Sequence, residues 1–277
     1  MAHAFDLGVK LLDVYSSEGQ WGPAARSVQA RRDRALISLA HDVSAQDIDH
    51  GCKVFGGHVD LYRFHTAEID AQALENWDVL RKVKVAGKIR AIGIATHIER
   101  TMCEALKQLE GIDFLFFPCN FIHARADYSE FLPEAQHLGV GLIGMKPLAS
   151  GSIMKLDPRG RPGEHPEFEA PQLWQTNNKS ILPAAVAELT KTLGRLPDET
   201  LCMAAMCFVF SRPFISTAIT GMFEDLLLED NYQALTRSAA MTREEHAVLG
   251  AVRDVAKLLR ANWLPDDYRW LEEQWRG

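Results

Sequence analysis

Cysteine is scarce in this chain. There are five, at positions 52, 103, 119, 202 and 207, with no C-x-x-C pair. An odd count without paired spacing argues against a disulfide framework or a zinc ribbon, and suits a reducing compartment. No apolar run reaches the roughly 18 residues of a membrane-spanning helix. The opening residues Met1-Ala-His-Ala-Phe-Asp6 lack the basic stretch followed by an apolar one that marks a secretory signal. These features set the expectation of a cytoplasmic protein away from membranes. Positive charge is also in short supply. Thirty Lys and Arg face 37 Asp and Glu, for a net charge of −7, which disfavours nucleic acid as a partner.

What is present is ordinary for a globule. Apolar residues make up 47% and charged residues 24%, too apolar a balance for a disordered chain. The 277 residues exceed the roughly 250 typical of a one-domain (β/α)₈ barrel. Short apolar runs rich in β-branched residues punctuate the sequence: Val9 to Asp13, Ala35 to Ala40, Val59 to Phe64, Ile89 to Ala95, Phe114 to Pro118, Val140 to Met145 and Ser216 to Thr220. They are continuous rather than alternating, as strands covered on both faces are. Between them lie stretches with apolar residues three and four apart, at about 70–85, 98–109 and 128–137. Gly87, Gly111 and Gly139 follow these stretches, where a left-handed helix cap belongs. Strand and helix in alternation predict parallel βαβ units, so the expected fold is α/β, a TIM-like barrel with seven recognisable strands.

One domain is expected over 1–277. Residues 149–180 carry Gly151, Pro158, Gly160, Pro162, Gly163, Pro166 and Pro171, the composition of a long functional loop, placed over the barrel mouth. Two helices are expected after it, at about 181–193 and 198–210. The tail from 262 to 277 holds Trp263, Tyr268, Trp270 and Trp275 and is expected to pack as a helical segment.

Parallel barrels keep their chemistry at the C-terminal ends of strands. Those positions carry Asp13 with Glu18 close behind, His41, His65, Thr96 with His97, Asn120, Lys146, and Thr220 with Gly221. Three imidazoles and two carboxyls at strand ends are groups suited to moving protons near neutral pH. Glu18, His41, His65 and His97 together also have the donor chemistry of a zinc, manganese or iron site.

Four motifs then point to a family. Asp60-Leu-Tyr-Arg-Phe-His65 resembles the D-L-Y-x-x-H strand of aldo-keto reductases. Gly87-Lys-Ile-Arg-Ala-Ile-Gly93 resembles their G-K-I-R-x-I-G strand entry. Gly141-Leu-Ile-Gly-Met-Lys-Pro-Leu148 resembles their late M-K-P-L strand. Gly221, with Glu229 and Asn231 after it, resembles their last cofactor-phosphate loop and following helix. The matches occur in family order over roughly residues 4 to 235.

The resemblance implies reduction of small carbonyl compounds with a nicotinamide cofactor, and a tetrad of Asp, Tyr, Lys and His. Asp13 and His65 match the Asp and the His. Glu18 stands at the Tyr position and His41 at the Lys position, so the usual proton donor is replaced. Tyr15 is the nearest phenol. For the cofactor, the resemblance points to Thr96, Asn120, Lys146, Gly221 and Asn231. The family's Gln position holds Phe116. Met222-Phe-Glu-Asp225 stands where a basic residue would meet the NADP 2′-phosphate, which makes NAD as well suited as NADP. The family also begins with a strand that this alignment does not find, and the tail or a second copy of the chain is expected to cover the edge beside it. Three readings follow: a divergent reductase, a non-redox and metal-dependent lyase, isomerase or hydrolase on the same barrel, and an inactive binding subunit. Arg125 is a candidate for anionic substrate. Cys119 is expected to be a buried packing residue.

Overall fold

Strands form where the sequence is continuously apolar, and their ends are set by where backbone partners run out. The computed structural model describes residues 2–15, 18–120, 124–149, 201–221 and 225–238, together with 243, 247 and 275. The strands are β1 (Leu11–Val14), β2 (Leu36–Ala40), β3 (Val59–His65), β4 (Ile89–Ala95), β5 (Phe114–Pro118), β6 (Gly141–Met145) and β7 (Thr217–Ala218). The helices are α1 (Ala2–Asp6), α2 (Glu18–Val28), α3 (Ala45–Val54), α4 (Ala71–Val85), α5 (Glu99–Gln108), α6 (Phe131–His137), α7 (Leu201–Phe210) and α8 (Asp225–Ser238). Strand order in the sheet is chain order, and every pair with a described register is parallel. This is the βαβ repeat of a parallel α/β sheet.

The chain divides into two compact units, Met1–Phe117 with Pro133–Leu142, and Pro118–Leu132 with Ile143–Gly277. In the first unit β1 to β5 pair in sequence. Ile37, Leu39, Tyr62, Ile92, Ile94 and Leu115 are fully buried, each worth about 1.5–3 kcal/mol relative to exposure. The helices are cut to length by their caps. Ser44 Oγ accepts the Asp47 N–H at 3.0 Å at the start of α3, and Asp70 Oδ1 accepts the Ala73 N–H at 2.8 Å at the start of α4. Gly87, Gly111 and Gly139 all have positive φ (76°, 75° and 69°), as their positions after the helical stretches predict. Gly93 is required for a different reason. A Cβ there would stand 2.2 Å from the Phe114 carbonyl oxygen, so the second glycine of the G-K-I-R-A-I-G motif lets β4 and β5 approach.

The second unit pairs β6 with β7, Ile143 opposite Thr217 and Gly144 opposite Ala218. Helix α7 is apolar on every side, and Met203 through Val209 are all buried. A helix hydrophobic all round belongs in a core. Met203, Met206 and Cys207 pack with Ala234 of α8 and with Leu148 and Phe210. Trp275 is buried, its ring 6.4 Å from that of Phe131. The expected loop over 149–180 (apart from Ala149), the helix at 181–193 and the rest of the tail lie outside the described residues.

Candidate active site at the C-terminal strand ends

Asp13 is the third residue of β1, with its side chain 5% exposed. A carboxylate there needs a counter-charge, and Arg63 of β3 supplies it. The two meet side by side: Arg63 Nη1 donates to Asp13 Oδ1 at 2.6 Å and Nη2 to Oδ2 at 2.8 Å. Nη1 also donates to the Ser38 hydroxyl at 2.7 Å. Arg63 is fully buried. Its guanidinium lies 3.9 Å above the centre of the Phe116 ring and 5.4 Å from that of Tyr15. Bidentate geometry and ring faces are the setting that suits arginine and not lysine. Breaking one side of such a pair leaves a bare buried charge, at a cost of about 3–5 kcal/mol. Asp13 is therefore fixed in place.

Tyr15 extends the cluster toward solvent. Its ring stacks on His65, centroids 6.0 Å apart and planes at 24°, and it is 47% exposed, so the phenol is open to a ligand. The Tyr15 carbonyl accepts the Trp21 indole N–H at 3.2 Å. Trp21 in turn meets His41 edge to face at 5.3 Å and stacks on His50 at 5.4 Å. Asp13, Arg63, Tyr15 and His65 thus form one contiguous group, while His41 belongs to the Trp21 side, its ring 3.4 Å from the Asp42 carbonyl. Glu18 opens α2, and its side chain lies outside the described residues.

Arg63 was within the sequence motif yet not singled out. The signal is a buried cation within a mostly apolar strand, which must find an acid. Asp60 of the same motif serves the other end of the strand. It accepts the Ile37 N–H at 2.9 Å and is 1% exposed.

Thr96 lies after β4 and is 2% exposed. Its hydroxyl accepts the Ile98 N–H at 3.2 Å and so shapes the turn into α5. In the second unit Asn120 is fully buried and donates to the Lys146 carbonyl at 3.1 Å. Lys146 has a φ of 54°, a conformation disfavoured for a side-chain-bearing residue and often kept at functional sites. Burial holds its ammonium below the usual lysine pKa. Thr220 ends the seventh strand region with a buried hydroxyl that has no partner among the described residues. Gly221 is exposed beside it, and Asn231 is 8% exposed on α8. An orphaned hydroxyl, a lysine and a carboxamide are the donors a phosphate- and amide-bearing cofactor requires. The residues of this unit fit a dinucleotide.

The remaining candidates resolve more simply. Cys119 is 1% exposed, and burial raises its thiol pKa strongly, so it packs as expected. Arg125 lies on the 3₁₀ turn Ala124–Tyr128, partly buried. Among the described residues no group of three His, Cys, Asp or Glu is placed to hold a metal ion.

Parallel strands in chain order, alternating with helices, are the architecture of a (β/α)-barrel protein. The aldo/keto reductase family model matches residues 1–253, and the chain belongs to that family. It is 26% identical to L-galactose dehydrogenase of Arabidopsis thaliana over 92% of this chain and 83% of that protein. It is 22% identical to an uncharacterized oxidoreductase of Bacillus subtilis (strain 168), over 83% of this chain and 67% of that one. Its fold matches an aldo-keto reductase from Bacillus halodurans in holo form with a TM-score of 0.67 at 20% identity, covering 90% and 83% of the two chains. An aldo-keto reductase from Klebsiella pneumoniae in complex with NADPH matches at 0.65 and 17%, covering 96% and 84%.

Proposed function

We propose that this protein is a nicotinamide-dependent oxidoreductase of small carbonyl compounds in which Tyr15 takes the proton-donor role. The observation that carries this reading is the group of Asp13, Arg63, Tyr15 and His65 at the C-terminal strand ends. When bound, a reduced nicotinamide supplies hydride to the carbonyl carbon. The phenol O–H of Tyr15 gives its proton to the carbonyl oxygen, and water returns a proton to the phenolate, so the product is an alcohol. His65, stacked on Tyr15, holds the ring and meets the substrate oxygen. Arg63 holds Asp13 in place and presents positive charge to the Tyr15 face. Glu18 is the second acid the sequence offers at this rim, and Tyr15→Phe compared with Glu18→Gln decides between them.

Thr96, Asn120, Lys146, Gly221 and Asn231 are the proposed cofactor contacts. Solved relatives with bound NADPH and with NADP and acetate support the cofactor class. The sequence Met222-Phe-Glu-Asp225 carries two acids and no base where the resemblance would put a partner for the 2′-phosphate, which favours NAD. The same reading takes the chain as one barrel domain working in a reducing cytoplasm, where its cysteines remain thiols. Titration of intrinsic tryptophan fluorescence with NADH and NADPH tests it. Quenching is expected with both, tighter for NADH. No change up to millimolar cofactor overturns the proposal.

A further inference from the structure

The opposite, N-terminal ends of the strands carry a second polar feature that the reductase chemistry does not use. A cavity of about 860 Å³ opens in the first unit, between the end of α1, the turn into β1, the 31–36 segment, His58 and Arg90. Five basic side chains line it: Lys10, Arg31, Arg32, Arg34 and Arg90. Only two acids, Asp6 and Asp33, stand with them. The third acid nearby, Asp60, lies buried beside His58. In a chain with a net charge of −7, this is a local reversal of sign.

The pairing within the cavity leaves that charge unspent. Asp60 takes Arg32 at 3.0 Å and Arg90 at 2.9 Å, so two cations share one carboxylate. Arg32 is anchored besides by the carbonyls of Phe55, Ala35 and His58, at 2.8, 2.8 and 2.9 Å. It cannot swing away, and its charge is a fixed part of the wall. Arg90 is 63% exposed and keeps donors for a ligand beyond the one that meets Asp60. Arg31 reaches Asp6 at 3.3 Å. Lys10 and Arg34, both exposed, have no ion-pair partner among the described residues. Burial first, and then the Arg32 charge, lower the His58 pKa.

We infer that this cavity binds a small, multiply charged phosphate-bearing anion. Cations on several walls match an anion with more than one charge, and arginine forks match phosphate oxygens. The volume falls in the range of small-molecule sites and exceeds what one inorganic ion fills, so a phosphate ester of sugar or nucleotide size is the class of ligand. Placement at the N-terminal strand ends makes it a site apart from the carbonyl chemistry.

Isothermal titration of the full chain with inorganic pyrophosphate tests the inference, at low salt and again at 0.3 M NaCl. One saturable site is expected, weakened by salt, and weakened at least about tenfold in the Lys10→Ala/Arg34→Ala variant. Both residues are exposed, so the variant should melt as the parent does. Thr220→Ala, at the orphaned hydroxyl of the second unit, should leave this binding unchanged. NADH titration of the Lys10→Ala/Arg34→Ala variant should match the parent, which separates this site from the reductase reading. The absence of a saturable site up to 10 mM, or equal binding in parent and double variant, overturns the inference.

Discussion

The two ends of strands β1 to β4 bury acids in opposite ways. At the C-terminal end one carboxylate meets one arginine: Asp13 and Arg63 form a closed bidentate pair, roofed by Phe116 and Tyr15. At the N-terminal end one carboxylate meets two arginines: Asp60 is shared by Arg32 and Arg90 and supported by a backbone N–H. The first arrangement is balanced and enclosed, so its role is to fix geometry under an exposed phenol. The second is overcharged and open, so its surplus is available to an anion. Burial of the cations decides the difference: Arg63 is fully enclosed, whereas Arg90 is 63% exposed. A fully enclosed charge must be neutralised one for one, whereas charge at an open mouth need not be.

The sharpest way to break this comparison is Arg63→Met. It leaves Asp13 and Ser38 without their donor, and we expect a loss of about 3–5 kcal/mol in urea unfolding. Combining it with Asp13→Leu should recover much of that loss, since an apolar pair of similar volume replaces the ions. A single variant as stable as the parent would show that the pair is not a structural strut.

Tyr15→Phe comes next. It should fold like the parent, because the side chain is half-exposed. The rate of NADH-dependent aldehyde reduction should fall about 10²-fold or more, the range of a lost general acid. Unchanged kcat would move the role to Glu18. Third, Asp60→Asn should cost less than Arg63→Met, about 1–3 kcal/mol, because Arg32 keeps its three carbonyl acceptors and Arg90 turns to water. A larger cost than Arg63→Met would reverse the ranking of the two ends.

The smallest effect is in pH. Burial and then Arg32 hold the His58 pKa below its ordinary 6.5, so the folded state prefers the neutral ring. A base with a lowered folded pKa contributes stability that is complete above 6.5 and is lost as pH falls toward the folded value. Melting temperature should therefore decline from pH 7.5 to 5.5. His58→Gln should make the decline shallower, and an identical slope in that variant would remove His58 from the account.

Much of the fold was legible in the sequence because parallel strands are apolar on both faces. All seven runs became strands, and the glycines after α4, α5 and α6 adopt the left-handed caps their positions required. Edges were less legible. The run at Val9 begins its strand only at Leu11, since the Val9 N–H is spent on the Ala4 carbonyl in the turn closing α1. The last run shrinks to Thr217–Ala218. Of the candidate site, the sequence showed the strand-end positions but not the contacts between them. Asp13 and His65 stand where strand ends and family motifs placed them. The expected substitution of the Tyr and Lys positions by Glu18 and His41 did not foretell that Arg63 and Tyr15 would be Asp13's neighbours.

By itself the sequence determined the class of fold, the order of its strands and the family, because each is encoded in local periodicity or in a contiguous motif. Only the tertiary structure decided which charges meet. Arg63 and Asp13 are 50 residues apart, and Arg32 reaches carbonyls up to 26 residues away. No local pattern carries such pairings. They are set when strands dock in register and each buried charge takes the one partner within reach.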